Sequence, residues 1–239
     1  MQRYRDVNNP PSLLLQQAIF LVAARFCAKD HMEGSSNSIS PPKQFYDRAK
    51  ALYDASFEQD QTTVVQALVL MGQYWEGSEG EKDMLYWNKL SIVVAHSCGM
   101  HRSVENSDMG VSERRLRKRI WWTLFTRDRS LAAAFGHPVN INFEDADVED
   151  LNESDLIEDE DESFQGHDPQ FFVKYVELSK IMQKITSMQR SPVDTLDIQA
   201  ARIAQCEIEL HEWLVNCPKS LIWDGQTHAI WSAILTSCY

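Results

Sequence analysis

Apolar residues recur along this chain at three- and four-residue spacing, the period of helices that bury one face, and no run alternates as a half-buried strand would. The pattern predicts helices throughout. Ser12 can cap a first helix running to about Ala28, with Leu14, Leu15, Ala18, Leu21, Val22 and Phe26 turned inward. The stretch HMEGSSNSISPP is a loop by composition. Pro42 then stands where a first helical turn tolerates proline, and Phe45, Tyr46, Ala49, Leu52, Tyr53 and Phe57 form the stripe of a second helix. A third helix, about Thr62 to Trp75, and a fourth, about Lys82 to Gly99, are separated only by EGSEGE and should pack antiparallel. Val65, Leu68, Val69, Gly72, Tyr74 and Trp75 would meet Tyr86, Leu90, Val93, Val94 and Ser97. Later helices are predicted from Pro169 to about Arg190, from about Asp194 to Asn216 with Leu196, Ile203, Cys206, Leu210 and Trp213 inside, and from Thr227 to Tyr239.

The chain is organised around the stretch from Glu113 to Val148. Leu116, Ile120, Leu124, Leu131 and Phe135 fall on one arc that widens through Trp121, Ala132 and Phe125, as a core-facing helix requires. Gly136 supplies a left-handed cap and Pro138 forbids continuation. Asp128 lies inside the apolar arc and has no basic residue three or four positions away, so the carboxylate needs a partner from elsewhere. Arg102 is the first candidate and His101 the second. With Arg129 beside it, Asp128 reads as a buried ionic latch between helices or as a cavity-lining group. The pair Trp121 and Trp122 reads as one core residue and one partly exposed neighbour.

Charge changes the picture in one place. The formal net charge is −12, and the segment from Glu144 to Glu162 holds 12 of the chain's 35 acidic residues with no lysine or arginine; the remaining 23 match the 23 basic residues. A neutral body carrying one acidic loop, 144–165, has no phosphate-neutralising surface, so direct nucleic-acid binding by this chain is not expected. The basic run Arg114 to Arg119 is a partner surface, a solvated helix head or one half of a clasp with the acidic segment. As a calcium loop from Asp145, the acidic segment has Asp150 in place of the turn glycine and Leu156 in place of the closing glutamate. As an aspartate-rich diphosphate site it follows a proline turn instead of lying on a helix. A solvated loop is the simpler reading.

Five cysteines, Cys27, Cys98, Cys206, Cys217 and Cys238, form no C-x-x-C and no even framework, which points to a reducing compartment. His96, Cys98 and His101 lie on different helix faces and read as core or capping residues. No apolar run is long enough to span a bilayer, and Asp6, Pro10, Pro11 and Arg25 argue against reading the N-terminus as a signal peptide.

The stretch ERRLRKRIWWTLFTRDRSLAAAFGHPVNINFEDADV resembles the middle homology region of fungal zinc-cluster transcription factors, nearest the cutinase and fatty-acid responsive type. The matching positions are Arg114 to Arg119, Trp121 and Trp122, Asp128 and Arg129, Gly136 and Pro138, and Asp145 to Val148. His137 stands where that family usually has arginine. The ending Gly99-Met100-His101-Arg102 resembles the family's Gly-Leu-His-Arg. The resemblance implies an all-α fold of antiparallel helical hairpins packed into a single regulatory domain, 1–239, truncated at both ends. It implies a nuclear, effector-responsive regulator of RNA polymerase II transcription, with Arg102, Arg119, Trp121, Trp122, Asp128, Arg129, Gly136 and Pro138 as structural or regulatory residues. Its partners would be proteins and a small apolar effector, with no membrane and with DNA reached through a zinc cluster of six cysteines that this chain lacks. No cofactor is expected in the chain itself, zinc belonging to that missing module. Two other readings stay open: a stand-alone regulator acting through protein partners, and an all-α enzyme on a small apolar substrate. Against the enzyme stands the lack of metal-ligand spacing, of a nucleophile with its base and of a glycine-rich phosphate loop.

Overall fold

The computed structural model describes residues 12–27, 40–75, 84–157, 169–188 and 196–222. Among these residues it holds seven α-helices and no strand: α1 (Leu13–Cys27), α2 (Pro41–Asp54), α3 (Gln61–Met71), α4 (Met84–Ser97), α5 (Val111–Phe135), α6 (Pro169–Met188) and α7 (Leu196–Val215). Single 3-10 turns follow at Phe143–Asp145, Glu153–Asp155 and Lys219–Leu221. The helix expected from Thr227 to Tyr239, and residues 158–165 of the acidic loop, lie outside the described residues. The chain divides into two compact units: Met1–Ser103 with Asn140–Asp147, and Val104–Val139 with Val148–Tyr239.

In the first unit, α1 packs on α2 and α3, and α3 packs on α4. Pro41 and Pro42 open α2, where missing N–H groups cost nothing. Asp60 caps α3 by accepting from the backbone N–H groups of Thr62 and Thr63 at 3.2 Å each. The core joins Leu14, Ala18 and Leu21 of α1, Tyr46 and Ala49 of α2, Val64, Ala67, Leu68 and Met71 of α3, and Trp87 of α4. Each such large apolar side chain contributes about 1.5–3 kcal/mol when buried. Phe26 and Phe57, expected inside, are instead exposed, as is Trp75. The first two stand at the C-terminal end of a helix or just beyond one, where the packed face runs out.

The phase of α4 also differs from the expected one. Trp87, Asn88, Ser91, Ile92 and Ala95 are buried, whereas Tyr86, Val93 and Ser97 are exposed. Trp87 sets this rotation: its indole N–H donates to the Tyr46 hydroxyl at 3.1 Å, and its ring meets Tyr46 and Tyr53 edge-on. Ser91 can go inside because its hydroxyl donates to the Asn88 carbonyl of its own helix at 2.7 Å.

In the second unit, α5 packs on α6, α6 packs on α7, and the turn Glu153–Asp155 rests on both α5 and α6. The core between α6 and α7 holds Leu178, Ile181, Trp213, Cys217 and Leu221. The Trp213 indole donates to the Lys174 carbonyl at 3.1 Å. Ile203, expected on the inner face of α7, is exposed, while Cys206 and Trp213 are buried as expected. Side-chain placement of Leu196 lies outside the described residues.

Candidate functional site

The second unit is built on α5, and its centre carries buried charge. Asp128 and Arg129 are each 1% exposed, and Arg129 Nη1 reaches Asp128 Oδ2 at 3.2 Å. One partner of Asp128 is therefore its neighbour on the same helix. Spacing arguments consider residues three and four apart, whereas a long arginine can fold back along the helix to a carboxylate one position before it. Arg102 belongs to the first unit, where it lies 3.7 Å from Asp147 with both side chains mostly exposed.

Around Arg129 the polar groups come from α5 and α6 together. Its Nη2 donates to Gln183 Oε1, and its guanidinium carbon stands 3.7 Å from the centre of the Phe125 ring, a cation–π stack. On the next residue of α5, the Ser130 hydroxyl shares a hydrogen bond of 2.6 Å with that of Tyr175. Burial pulls the Arg129 pKa down to about 10, opposed by the Asp128 carboxylate. Burial lowers that of Arg127 as well. Charge held this deep persists only where hydrogen bonds and a counter-charge satisfy it.

The basic head of α5 is a clasp, not a solvated face. Arg117 is buried and Arg114, Arg115, Lys118 and Arg119 are half-buried. Lys118 Nζ meets Asp155 Oδ2 at 2.7 Å with side chains only 13% and 10% exposed, Arg115 donates to the Ile157 carbonyl at 3.5 Å, and Arg114 donates to the Glu105 carbonyl at 2.7 Å. Trp121 and Trp122 are both buried, so the second tryptophan is not the partly exposed neighbour that periodicity suggested. Trp122 is drawn in because its indole donates to the Glu149 carbonyl at 2.9 Å, while Lys180 sits 4.7 Å over its ring and also pairs with Asp150.

Residues 148–157 thus run as a strap held by α5 and α6. Leu151 is a buried residue of the strap, and Asn152 and Asp155 cap the turn Glu153–Asp155 reciprocally. That turn corrects the reading of 144–165 as wholly solvated. The spacing Asn152-x-x-Asp155 is a readable capping box, masked in the sequence by the acidic run around it. Lys118, Asp155, Tyr175, Lys180 and Gln183 were not singled out from sequence, since each matters only through a partner far along the chain.

At the end of α5, Gly136 adopts φ 65° and ψ 23°, the left-handed cap that glycine permits, and the His137 N–H returns to the Ala132 carbonyl at 3.1 Å. Gly136, His137 and Pro138 are exposed, and Phe135, expected in the core, is 49% exposed. In the first unit a cavity of about 510 Å³ is lined by His96, His101, Arg102, Asn140, Asn142, Glu144 and Asp145. The two imidazoles meet edge to face at 5.0 Å, and burial together with His101 lowers the His96 pKa, with Asp145 opposing. Among the described residues no group of three or more His, Cys, Asp or Glu is placed to hold a metal ion, and no helix is long and apolar enough to cross a membrane.

The chain is 47% identical to the cutinase transcription factor 1 alpha of Fusarium vanettenii, over 100% of this chain and 27% of that protein. It is 29% identical to the acetamidase regulatory protein of Aspergillus fumigatus, over 99% of this chain and 30% of that protein. With the activatory protein CHA4 of Saccharomyces cerevisiae it shares 24% identity over 92% of this chain and 38% of that one. The chain therefore spans less than two fifths of the length of each of these relatives. No solved structure gives a significant match. The fungal specific transcription factor domain matches residues 2–215. With nearly the whole chain inside that match and the alignment to a transcription factor running from end to end, the chain belongs to the family of the fungal specific transcription factor domain.

Proposed function

We propose that this chain is the regulatory body of a fungal transcription factor acting in the nucleus on RNA polymerase II transcription, and that the strap 148–157 is the element whose state carries the regulation. The observation that supports this most is the Lys118–Asp155 pair, because it ties the basic head of α5 to the acidic segment with both side chains nearly covered. A pair of this burial, with its hydrogen bond, contributes about 1–3 kcal/mol. A coupling of about 1–3 kcal/mol is what one bound effector or partner protein supplies. The strap can thus be held by default and released on binding.

The chain acts by binding, not by catalysis. Its effector is a partner protein or a small apolar molecule. DNA contact falls to a zinc cluster of the type the family carries; the five cysteines here do not fit one, and Cys98, Cys206 and Cys217 are free thiols spread over both units. The test is a reporter gene driven by this chain fused to an unrelated DNA-binding domain, comparing wild type with Asp155→Ala and Lys118→Met. Reporter output should shift severalfold and in the same direction in both variants, alongside faster proteolysis within 148–157. Faster proteolysis with unchanged output would show a strap that opens without regulating and would end this reading.

A further inference from the structure

One face of α7 is covered by α6, and the opposite face carries a second seam, in which Ile208 and Val215 are the large apolar side chains and His211 the one polar member. Cys206 and Trp213 turn into the core, with Leu210 and Leu214 packed beside Trp213. Half a turn away stand Ala201, Ala204, Ile208, His211 and Val215, all exposed, with Ile208 at 53% and Val215 at 69%. Their spacing alternates three and four residues, which is the repeat by which one helix receives another along a seam. The seam is about 21 Å long at 1.5 Å per residue. A helix with apolar residues on two opposite faces is shaped to lie between two bodies. The small side chains of Ala201 and Ala204 leave room for a neighbouring backbone to come close.

The charges beside the seam identify the occupant. Asp197 lies in line with it at the N-terminal end, and Glu207 and Glu212 flank it on its two sides; all three are exposed. Arg202, the one lysine or arginine in α7, lies on the side of the helix facing away from the seam. A second copy of this chain laid on the seam would set glutamate against glutamate in either direction, which disfavours self-pairing. Lysine or arginine at the flanks of an incoming helix would reverse the sign of those terms.

We propose that this face of α7 docks an amphipathic helix of a partner protein, with an apolar three-four seam flanked by lysine or arginine. The probe is a pair of synthetic helical peptides with identical isoleucine and leucine seams, one flanked by lysine and one by glutamate, titrated into the 239-residue chain by fluorescence anisotropy. The lysine-flanked peptide should bind saturably, at least about tenfold more tightly than the other, and more weakly as salt rises. Ile208→Asp should lose about tenfold or more of that affinity, and Glu207→Lys with Glu212→Lys should reverse the preference between the peptides. Because these side chains are exposed, circular dichroism of the variants should match wild type, which separates lost docking from lost folding. Equal binding of both peptides, no binding of either, or a dimer of the chain that Ile208→Asp abolishes would each overturn the proposal.

Discussion

The buried pair on α5 offers a sharp test, because it holds opposite charges on adjacent residues at 1% exposure. Removing the Asp128 charge by Asp128→Asn takes away the adjacent counter-charge of the Arg129 guanidinium while its contacts with Gln183 and the Phe125 ring stay in place. The cation–π stack is worth about 1–2 kcal/mol and does not replace a counter-charge. Breaking a buried pair from one side costs about 3–5 kcal/mol; the neutral contacts and the retained amide oxygen bring the expectation for Asp128→Asn to about 2–3 kcal/mol. Arg129→Met removes the cation beside a carboxylate that is 1% exposed and should cost about 3 kcal/mol or more. The double variant Asp128→Leu with Arg129→Met removes both charges while keeping one branched and one linear side chain, and should fall within about 1–2 kcal/mol of wild type, far from the sum of the single effects. The assay is urea unfolding followed by tryptophan fluorescence, with hydrogen exchange of α5 and α6 amides to assign the loss to this unit, since two units need not unfold together. Single variants within about 1 kcal/mol of wild type, or a double variant equal to their sum, would refute the reasoning that these two side chains stabilise one another.

Two further outcomes follow from the geometry. Gly136→Ala should destabilise α5 by about 1–2 kcal/mol in the same assay, and Gly136→Asn by clearly less, because φ 65° penalises a Cβ that asparagine tolerates better. A burial-free alternative, a cost equal for alanine and asparagine, would contradict a backbone cause. The His96 pKa is lowered from 6.5, so the folded state binds its proton more weakly than the unfolded state does. Its contribution to stability is fully present above 6.5 and is lost as pH falls through the lower folded value. His96→Asn should flatten the fall in stability below pH 6.5, measured as unfolding midpoint against pH; a profile unchanged by the substitution would refute it.

Much of this molecule could be read along the chain because its signals are local. The period of the apolar residues settles that the described elements are helices, Pro41 and Pro42 mark where α2 begins, and Gly136 with Pro138 marks where α5 ends. The acidic excess after Glu144 and the family resemblance of the α5 stretch need no coordinates. Rotation and partnership were decided only in three dimensions. The helix α4 is apolar on most sides, so its sequence carries no phase, and Trp87 finding the Tyr46 hydroxyl chose which face went in. Asp128 looked orphaned by spacing, yet its neighbour Arg129 folds back to it and borrows Gln183 from 54 residues away. The basic head of α5 could have been a solvated face, and it is a clasp because Asp155, shaped by its own capping box, arrives where Lys118 can reach it. Periodicity measures how often a residue returns to one face of its own helix; it carries no information about what another part of the chain will set against that face.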